Sequence, residues 1–325
     1  MDTACAVVGI DVSKKKLDVA MLVSGKMKAE VLENTAEWHK SLREWLGKSP
    51  VPMSVMHVCM EATGVYSEPV ALALHQAGLI VSVVNPACIK GFGACENIRN
   101  KMTPSMRPAA WLPPRLEQRQ LRAWTLRVQA LKDIRQQEEN RVEVHAVIGM
   151  EDVAAQVQQH IAWLSAEIAK LESDINDHID RHPRLKHDAQ LLVSIPDVGM
   201  ATTARILGQS GDIRRSCNAK AFAAFLGVTP RQRNSGTSLK GRTMIRRTGN
   251  TSLRTALYIP SLVARRHNPI LCRFAERLSA TGMAKKAVIG AIMHKLAHLI
   301  YGVIHTDTPF DAHYLAKGLA IQDGI

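Results

Sequence analysis

From Val7 to Met21 the chain reads as two short apolar runs separated by one polar interruption. Val7, Val8 and Ile10 are β-branched, Ser13 to Lys16 are polar, and Leu17, Val19 and Met21 then recur at every second position. This pattern predicts a hairpin that sets Asp11 at the centre of a sheet. Residues 28–32 extend it by a third strand. Thr35 can cap a helix whose apolar positions Trp38, Leu42, Trp45 and Leu46 recur at helical spacing. A second buried strand, residues 55–61, ends on Glu61; a helix over 67–77 and a strand over 80–84 follow. Strands alternating with helices predict an α/β domain with a mixed sheet.

Beyond residue 116 the period changes to three and four. Leu121, Trp124, Val128 and Leu131 follow it, as do Val153, Val157, Ile161, Leu164, Ile168, Leu171, Ile175 and Ile179. Gly149 interrupts the pattern and Pro183 ends it, which predicts an antiparallel or dimerising coiled-coil arm, with an arm internal to one core as the alternative. Residues 194–207 join two helices by a Pro-Asp-Val-Gly turn. Gly199 can take positive φ there, and the turn, which resembles the hairpin of helix-hairpin-helix DNA-binding modules, would offer backbone N–H groups and a helix N-terminus to one phosphate; a plain packing corner is the alternative. Helices over 253–264 and 285–304 complete the chain. His294 and His298 in the last of these lack the glutamate of H-E-x-x-H, so an ordinary surface or core role is expected, not a zinc site. The expected divisions are 1–112, 113–186 and 187–325.

Charge changes this picture. The 325 residues carry a net charge of +13, yet residues 201–300 alone hold 18 Lys and Arg against Asp212 and Glu276. A basic field confined to one domain points to a polyanion, most simply nucleic acid. Its densest part, residues 229–254, carries Arg231, Arg233, Lys240, Arg242, Arg246, Arg247 and Arg254 among Ser, Thr, Asn and Gly, with no acid. Gly236, Gly241 and Gly249 would let backbone approach a phosphate, and the arginines could neutralise it. Ser235 and Ser238 are candidate nucleophiles without a local histidine partner; an ordinary loop serine is the alternative. Six cysteines (Cys5, Cys59, Cys88, Cys95, Cys217, Cys272) form no C-x-x-C pair and no zinc spacing. They read as reduced, mostly buried residues of a cytoplasmic protein. The N-terminus lacks an export signal and no run of about 18 uncharged apolar residues occurs, so no membrane partner is expected.

Asp11 and Glu61 both lie at predicted strand ends. A carboxylate held there is costly unless it is hydrogen-bonded or binds a cation, and Mg²⁺ bound for phosphodiester chemistry is the functional reading. The alternatives are an aspartate capping its own turn, or an actin-like hairpin at ATP phosphates, for which the second phosphate loop and adenosine site are absent. Further metal ligands cannot come from residues 97–115, where no acid occurs between Glu96 and Glu117.

G-I-D-V-S with K-L-D-V-A, E-A-T-G-V-Y-S-E-P-V, S-V-V-N-P, S-I-P-D-V-G, F-L-G-V-T-P-R and S-G-T-S-L-K-G occur in this order over almost the full length. Together they resemble the DEDD-type insertion-sequence transposases (the IS one-ten family), also described as bridge-RNA-guided DNA recombinases. The resemblance implies a RuvC-like, ribonuclease-H-type N-terminal domain, a coiled-coil arm used in oligomerisation as dimer or tetramer, and a mainly helical C-terminal transposase domain. It implies four acids that bind Mg²⁺, the first two matching Asp11 and Glu61. It also implies a serine, matching Ser235, that attacks DNA covalently, and a structured guide RNA that pairs with donor and target DNA.

One departure stands out. The family continues after R-N-K with a segment of the type T-D-T-V-D-A-R and a helix, whereas this chain reads Met102-Thr103-Pro104-Ser105-Met106 and rejoins the pattern at Arg107. Both aspartates are missing. Dropping one base from codons for Thr-Asp-Thr-Val-Asp-Ala yields Met-Thr-Pro-Ser-Met, so a short frameshift is the expected origin. The sequence therefore predicts a recombinase by descent that binds nucleic acid and cuts poorly, with a non-catalytic DNA- and RNA-binding subunit as the alternative.

Overall fold

The computed structural model describes residues 6–62, 64–86, 89, 110–231, 234–235, 239–240, 244–245 and 248–312. They fall into two compact units, residues 1–113 and 114–325.

In the first unit, β1 (Val7–Val12), β2 (Lys16–Val23), β3 (Lys26–Glu33), β4 (His57–Glu61) and β5 (Ile80–Val84) form one sheet in the order β3-β2-β1-β4-β5. The hairpin strands β1, β2 and β3 pair antiparallel, while β4 and β5 join β1 in parallel. Helices α1 (Ala36–Gly47) and α2 (Ser67–Gln76) precede β4 and β5. Alternation explains the core: Val8, Ile10, Leu17, Val19, Val58 and Met60 are buried together with Leu42 and Leu46 of α1 and Val70 and Leu74 of α2. The opposite parity of the same strands carries Asp11, Asp18, Cys59 and Glu61. Thr35 caps α1 by accepting from the Trp38 N–H.

The second unit is mainly helical. Helices α3 (Leu116–Val147) and α4 (Glu151–Arg181) form an antiparallel hairpin that turns at Gly149, φ +72°. The pairs His178 with Glu117, Lys132 with Glu172 and His160 with Glu138 mark its register. Leu121, Val128 and Leu131 of α3 and Leu164, Ile168, Ile175 and Ile179 of α4 share one core with the helices that follow. At the far end Val144, Val147, Ile148, Met150 and Val153 are exposed. Pro183, read from sequence as the end of the arm, opens α5 (Pro183–Val193) at its first turn, where a missing N–H costs nothing.

The remaining helices are α6 (Met200–Ser210), α7 (Ala219–Phe225), α8 (Thr251–His267), α9 (Pro269–Ala280) and α10 (Lys285–Thr306). Neither α7 nor α9 was expected; Asn218 and Asn268 cap them, and Pro269 starts α9. Among the described residues α10 is the one helix long and apolar enough to cross a membrane. It is instead the central core helix here, burying Val288, Ile292, Leu296 and Ile300 against α7, α8 and α9. Of the cysteines within the described residues, Cys217 is exposed and Cys59 and Cys272 are partly so, which corrects the expectation that most are buried. Cys5, Cys88 and Cys95 lie outside the described residues.

Candidate functional site

The acidic candidate site, in the first unit, is built by strand register. Ile10 of β1 pairs with Met60 of β4, so the next residues, Asp11 and Glu61, come at the same level of adjacent parallel strands and share one sheet face. Asp11 is exposed and Glu61 half-exposed. Asp18, directly opposite Asp11 on β2, is a third carboxylate at this edge that the sequence reading passed over. Its oxygens engage Lys16 at 3.1 and 3.3 Å.

A small network braces the turns behind these carboxylates. The Asn34 side-chain amide donates to the Ser13 carbonyl at 2.9 Å and to the Tyr66 carbonyl at 3.2 Å, tying the turn after Asp11 to the turn after Glu61. Its Oδ1 lies 2.9 Å from Nε2 of His39, whose ring is held below the usual imidazole range by burial and then by Arg43. The His39 ring is thus kept neutral near pH 7, with Nε2–H as donor to the amide. Nothing in the local sequence pattern marked Asn34 or His39, because the network joins positions up to 32 residues apart.

Mg²⁺ takes octahedral oxygen ligands, and a two-metal site needs several carboxylates converging on one point. Among the described residues no three His, Cys, Asp or Glu side chains come together in that way. The donors present therefore do not fit a two-metal centre. Residues 97–109 lie outside the described residues and contain no acid.

A separate, basic candidate site lies in the second unit, between α7 and α8. Two short antiparallel pairs are nested there: β6 (Pro230–Arg231) with β9 (Met244–Ile245), and inside it β7 (Asn234–Ser235) with β8 (Leu239–Lys240). Ser235 pairs with Leu239 across residues 236–238, so the backbone places it beside the tip of the inner hairpin. Backbone alone is described for Arg231 and Lys240. Arg233, Ser238, Gly236, Gly241, Arg242, Arg246 and Arg247 lie outside the described residues.

The foot of this excursion is pinched shut. A Cβ on Gly249, whose φ is +101°, would meet the Cα of Gly227 at 2.5 Å and the Ala224 carbonyl at 2.7 Å. Gly249 thus serves a backbone-to-backbone contact, not the approach to phosphate expected of it. The Asn250 N–H donates to the Phe225 carbonyl at 2.9 Å. Arg254, expected to face nucleic acid, reaches the Gly227 carbonyl at 3.3 Å and the Thr251 hydroxyl at 3.2 Å, bracing the same pinch. Gly249→Ala should cost about 3 kcal/mol of stability through strain at positive φ and the clash. A shift in the urea midpoint worth less than about 0.5 kcal/mol would contradict this packing.

The turn between α5 and α6 does not use the conformational freedom of Gly199. Gly199 has φ −77° and is the extended N-cap of α6; positive φ falls on Asp197, at +79°. Burial raises the Asp197 carboxyl above its ordinary range, and His267 opposes this in part.

Comparison with known proteins follows this division. A family model described as transposase, of the IS110 DEDD type, matches residues 8–103, and one described as transposase IS116/IS110/IS902 family matches residues 189–276. The first spans Asp11 and Glu61 and stops inside the departing segment; the second spans the α5–α6 turn and Ser235. A pilin gene-inverting protein of Moraxella bovis is 28% identical over 94% of this chain and 97% of its own length. The transposase for insertion sequence element IS1111A of Coxiella burnetii is 32% identical over 29% of this chain and 26% of its own. Residues 8–103 and 189–276 thus match, in that order, transposase domains of the IS110 DEDD type and of the IS116/IS110/IS902 type.

Proposed function

We propose that this chain is a DNA-binding transposase or site-specific recombinase of an insertion sequence whose catalytic centre is impaired by loss of two acids. The carrying observation is the pairing of an aligned Asp11 and Glu61 with the absence, among the described residues, of any third ligand converging on them. On this reading the first unit is a RuvC-like domain, the α3–α4 hairpin is an oligomerisation arm, and the second unit grips DNA. The relative named as inverting a pilin gene supports rearrangement of DNA as the ancestral activity.

In an intact centre the Ser235 hydroxyl would attack a backbone phosphorus. A serine–phosphate bond forms, a phosphorus–oxygen bond of the DNA breaks, the deoxyribose oxygen leaves as the hydroxyl, and the serine proton passes to solvent. Guide RNA pairing would choose the sites, leaving the protein to hold backbone phosphates through Arg231, Arg233, Lys240, Arg242, Arg246 and Arg247. Mg²⁺ would stabilise charge on the phosphate when four acids hold it; with Asp11 and Glu61 alone we derive no step through it.

DNA binding should survive the defect. Affinity for a duplex is expected to fall steeply with salt, with a log–log slope of about −4 to −6 if five to seven phosphates are neutralised. Arg246→Gln together with Arg247→Gln should make that slope shallower by about 2. A slope near zero for the unaltered chain would defeat the DNA-binding reading.

A further inference from the structure

After α10 the chain is strapped along α5. Asp307, the residue that follows α10, has φ +56° and ψ +33°, a left-handed conformation that reverses the backbone. Its Oδ1 lies 2.9 Å from Nε2 of His187 and accepts from the Arg214 guanidinium at 2.8 Å, which pins the reversal to α5 and to the 213–215 turn. Three residues on, the Phe310 N–H donates to the Ser194 hydroxyl at 2.8 Å, and that hydroxyl donates to the Leu191 carbonyl at 2.6 Å. The Phe310 side chain packs against the core of the second unit. His187 and Ser194 are seven residues apart, so they share one face of the helix about 10 Å apart along its axis, the span of three extended residues. Residues 307–310 therefore run along α5 towards the α5–α6 turn.

Ser194, where this strap is fastened, also lines an open cavity of about 420 Å³. The volume lies inside the range of roughly 300 to 1,000 Å³ of ligand pockets. Ile179 of α4, Ala189 and Val193 of α5 and Met200 of α6 form its apolar walls, and Asp180 and Lys186, paired at 3.0 Å, are its charged members. Val193 and Met200 are 43% and 41% exposed, two large apolar side chains left open to solvent on either side of one turn. What comes next in the sequence suits them. The described backbone ends at Ala312, two residues beyond the bond to Ser194. Residues 313–325, outside the described residues, read H-Y-L-A-K-G-L-A-I-Q-D-G-I, with Tyr314, Leu315, Leu319 and Ile321 as large apolar positions. Leu315 is five residues from the anchored Phe310, a reach of about 17 Å, which exceeds the width of a cavity of this volume.

We propose that residues 313–325 turn back into this cavity of their own chain, with Tyr314 and Leu315 against Val193 and Met200, and so cover the start of α6. The strap at Ser194 makes the docking intramolecular, at an effective concentration of about a millimolar, which a free partner would have to exceed. Its consequence rests on the DNA-binding reading above. Met200 opens α6, whose N-terminus the sequence offers to a phosphate, so the docked segment and DNA compete for one turn. If the docked state holds about 90% of the population, that contact is weakened about tenfold.

The test uses the full chain carrying Val193→Cys and Leu315→Cys under mild oxidation, with linked peptides identified by mass spectrometry so that the chain's own cysteines are told apart. A disulfide between positions 193 and 315 of one chain should form at a rate independent of protein concentration. Met200→Asp added to that pair should slow it by about tenfold, the population change expected when a buried apolar contact is lost. An acid in the first turn of α6 suits the helix dipole, and thermal unfolding verifies that the variant is folded. A disulfide formed as fast with Met200→Asp would mean chance collision, and one formed only between chains would give the cavity to a second copy. Either result, or no disulfide at all, overturns the proposal. Ending the chain at Ala312 should raise its affinity for a fluorescein-labelled duplex about tenfold. If the disulfide forms within one chain but this affinity is unchanged, the docking stands and the competition with DNA is overturned. If neither length of chain shows salt-dependent binding, the DNA-binding reading falls and the disulfide alone decides the docking.

Discussion

Replacing residues 102–106 by the two-aspartate segment and helix that follow R-N-K in the family should raise Mg²⁺-dependent strand exchange by at least about 100-fold. The comparison is with the unaltered chain, using a supercoiled donor, a target and the element's own RNA. The reason is geometric. Register already brings Asp11 and Glu61 to one edge of the sheet, and Asn34 ties the turns behind them. Two carboxylates leave most of the coordination sphere of each ion to water, and misplacement by about 1 Å is enough to cost two orders of magnitude. Asp18, opposite Asp11 in register, is engaged by Lys16. Equal strand exchange by both chains would show that the missing segment is dispensable. Sequencing a related gene that keeps the two aspartates bears on the origin of residues 102–106: codons unrelated by small insertions or deletions would dismiss a frameshift.

In the repaired chain, Ser235→Ala should remove the covalent protein–DNA adduct and lower strand exchange by at least about 1000-fold, since no hydroxyl remains to attack phosphorus. The salt dependence of DNA binding should persist, because a neutral hydroxyl releases no counterions. The readout is a denaturing gel with end-labelled DNA. An adduct of unchanged yield in the variant would move the nucleophile elsewhere, with Ser238 the next residue to replace. Ser235 is the first choice because the resemblance to the transposases matches it; the structure describes its backbone pairing with Leu239.

Much of the fold was legible because its signals are local. Alternation from Val7 to Met21 marked β1 and β2, Thr35 marked the start of α1, and the three-and-four spacing marked α3 and α4 with the break at Gly149. What escaped depends on contacts between distant positions. Pro183 carries both meanings of proline after a helix, a stop for α4 and a first-turn residue for α5, and the tertiary fold uses both. The positive φ open to Gly199 falls on Asp197, since glycine is permitted that conformation without being obliged to adopt it. Gly249 was legible as a special glycine, but its partner, Gly227, lies 22 residues earlier and only the folded chain brings the two together. The carboxylate pair shows the same limit from the other side. Asp11 and Glu61 could each be read as strand-end acids, while their common level came from the parallel pairing of β1 with β4.

The most direct measurement is a titration of the unaltered and repaired chains with Mn²⁺ as a paramagnetic substitute, counting bound ions per protomer by electron paramagnetic resonance. The repaired chain should hold two coupled ions at submillimolar concentration, whereas the unaltered chain should show no saturable pair. Two coupled ions bound by the unaltered chain and lost in Asp11→Asn would contradict the account.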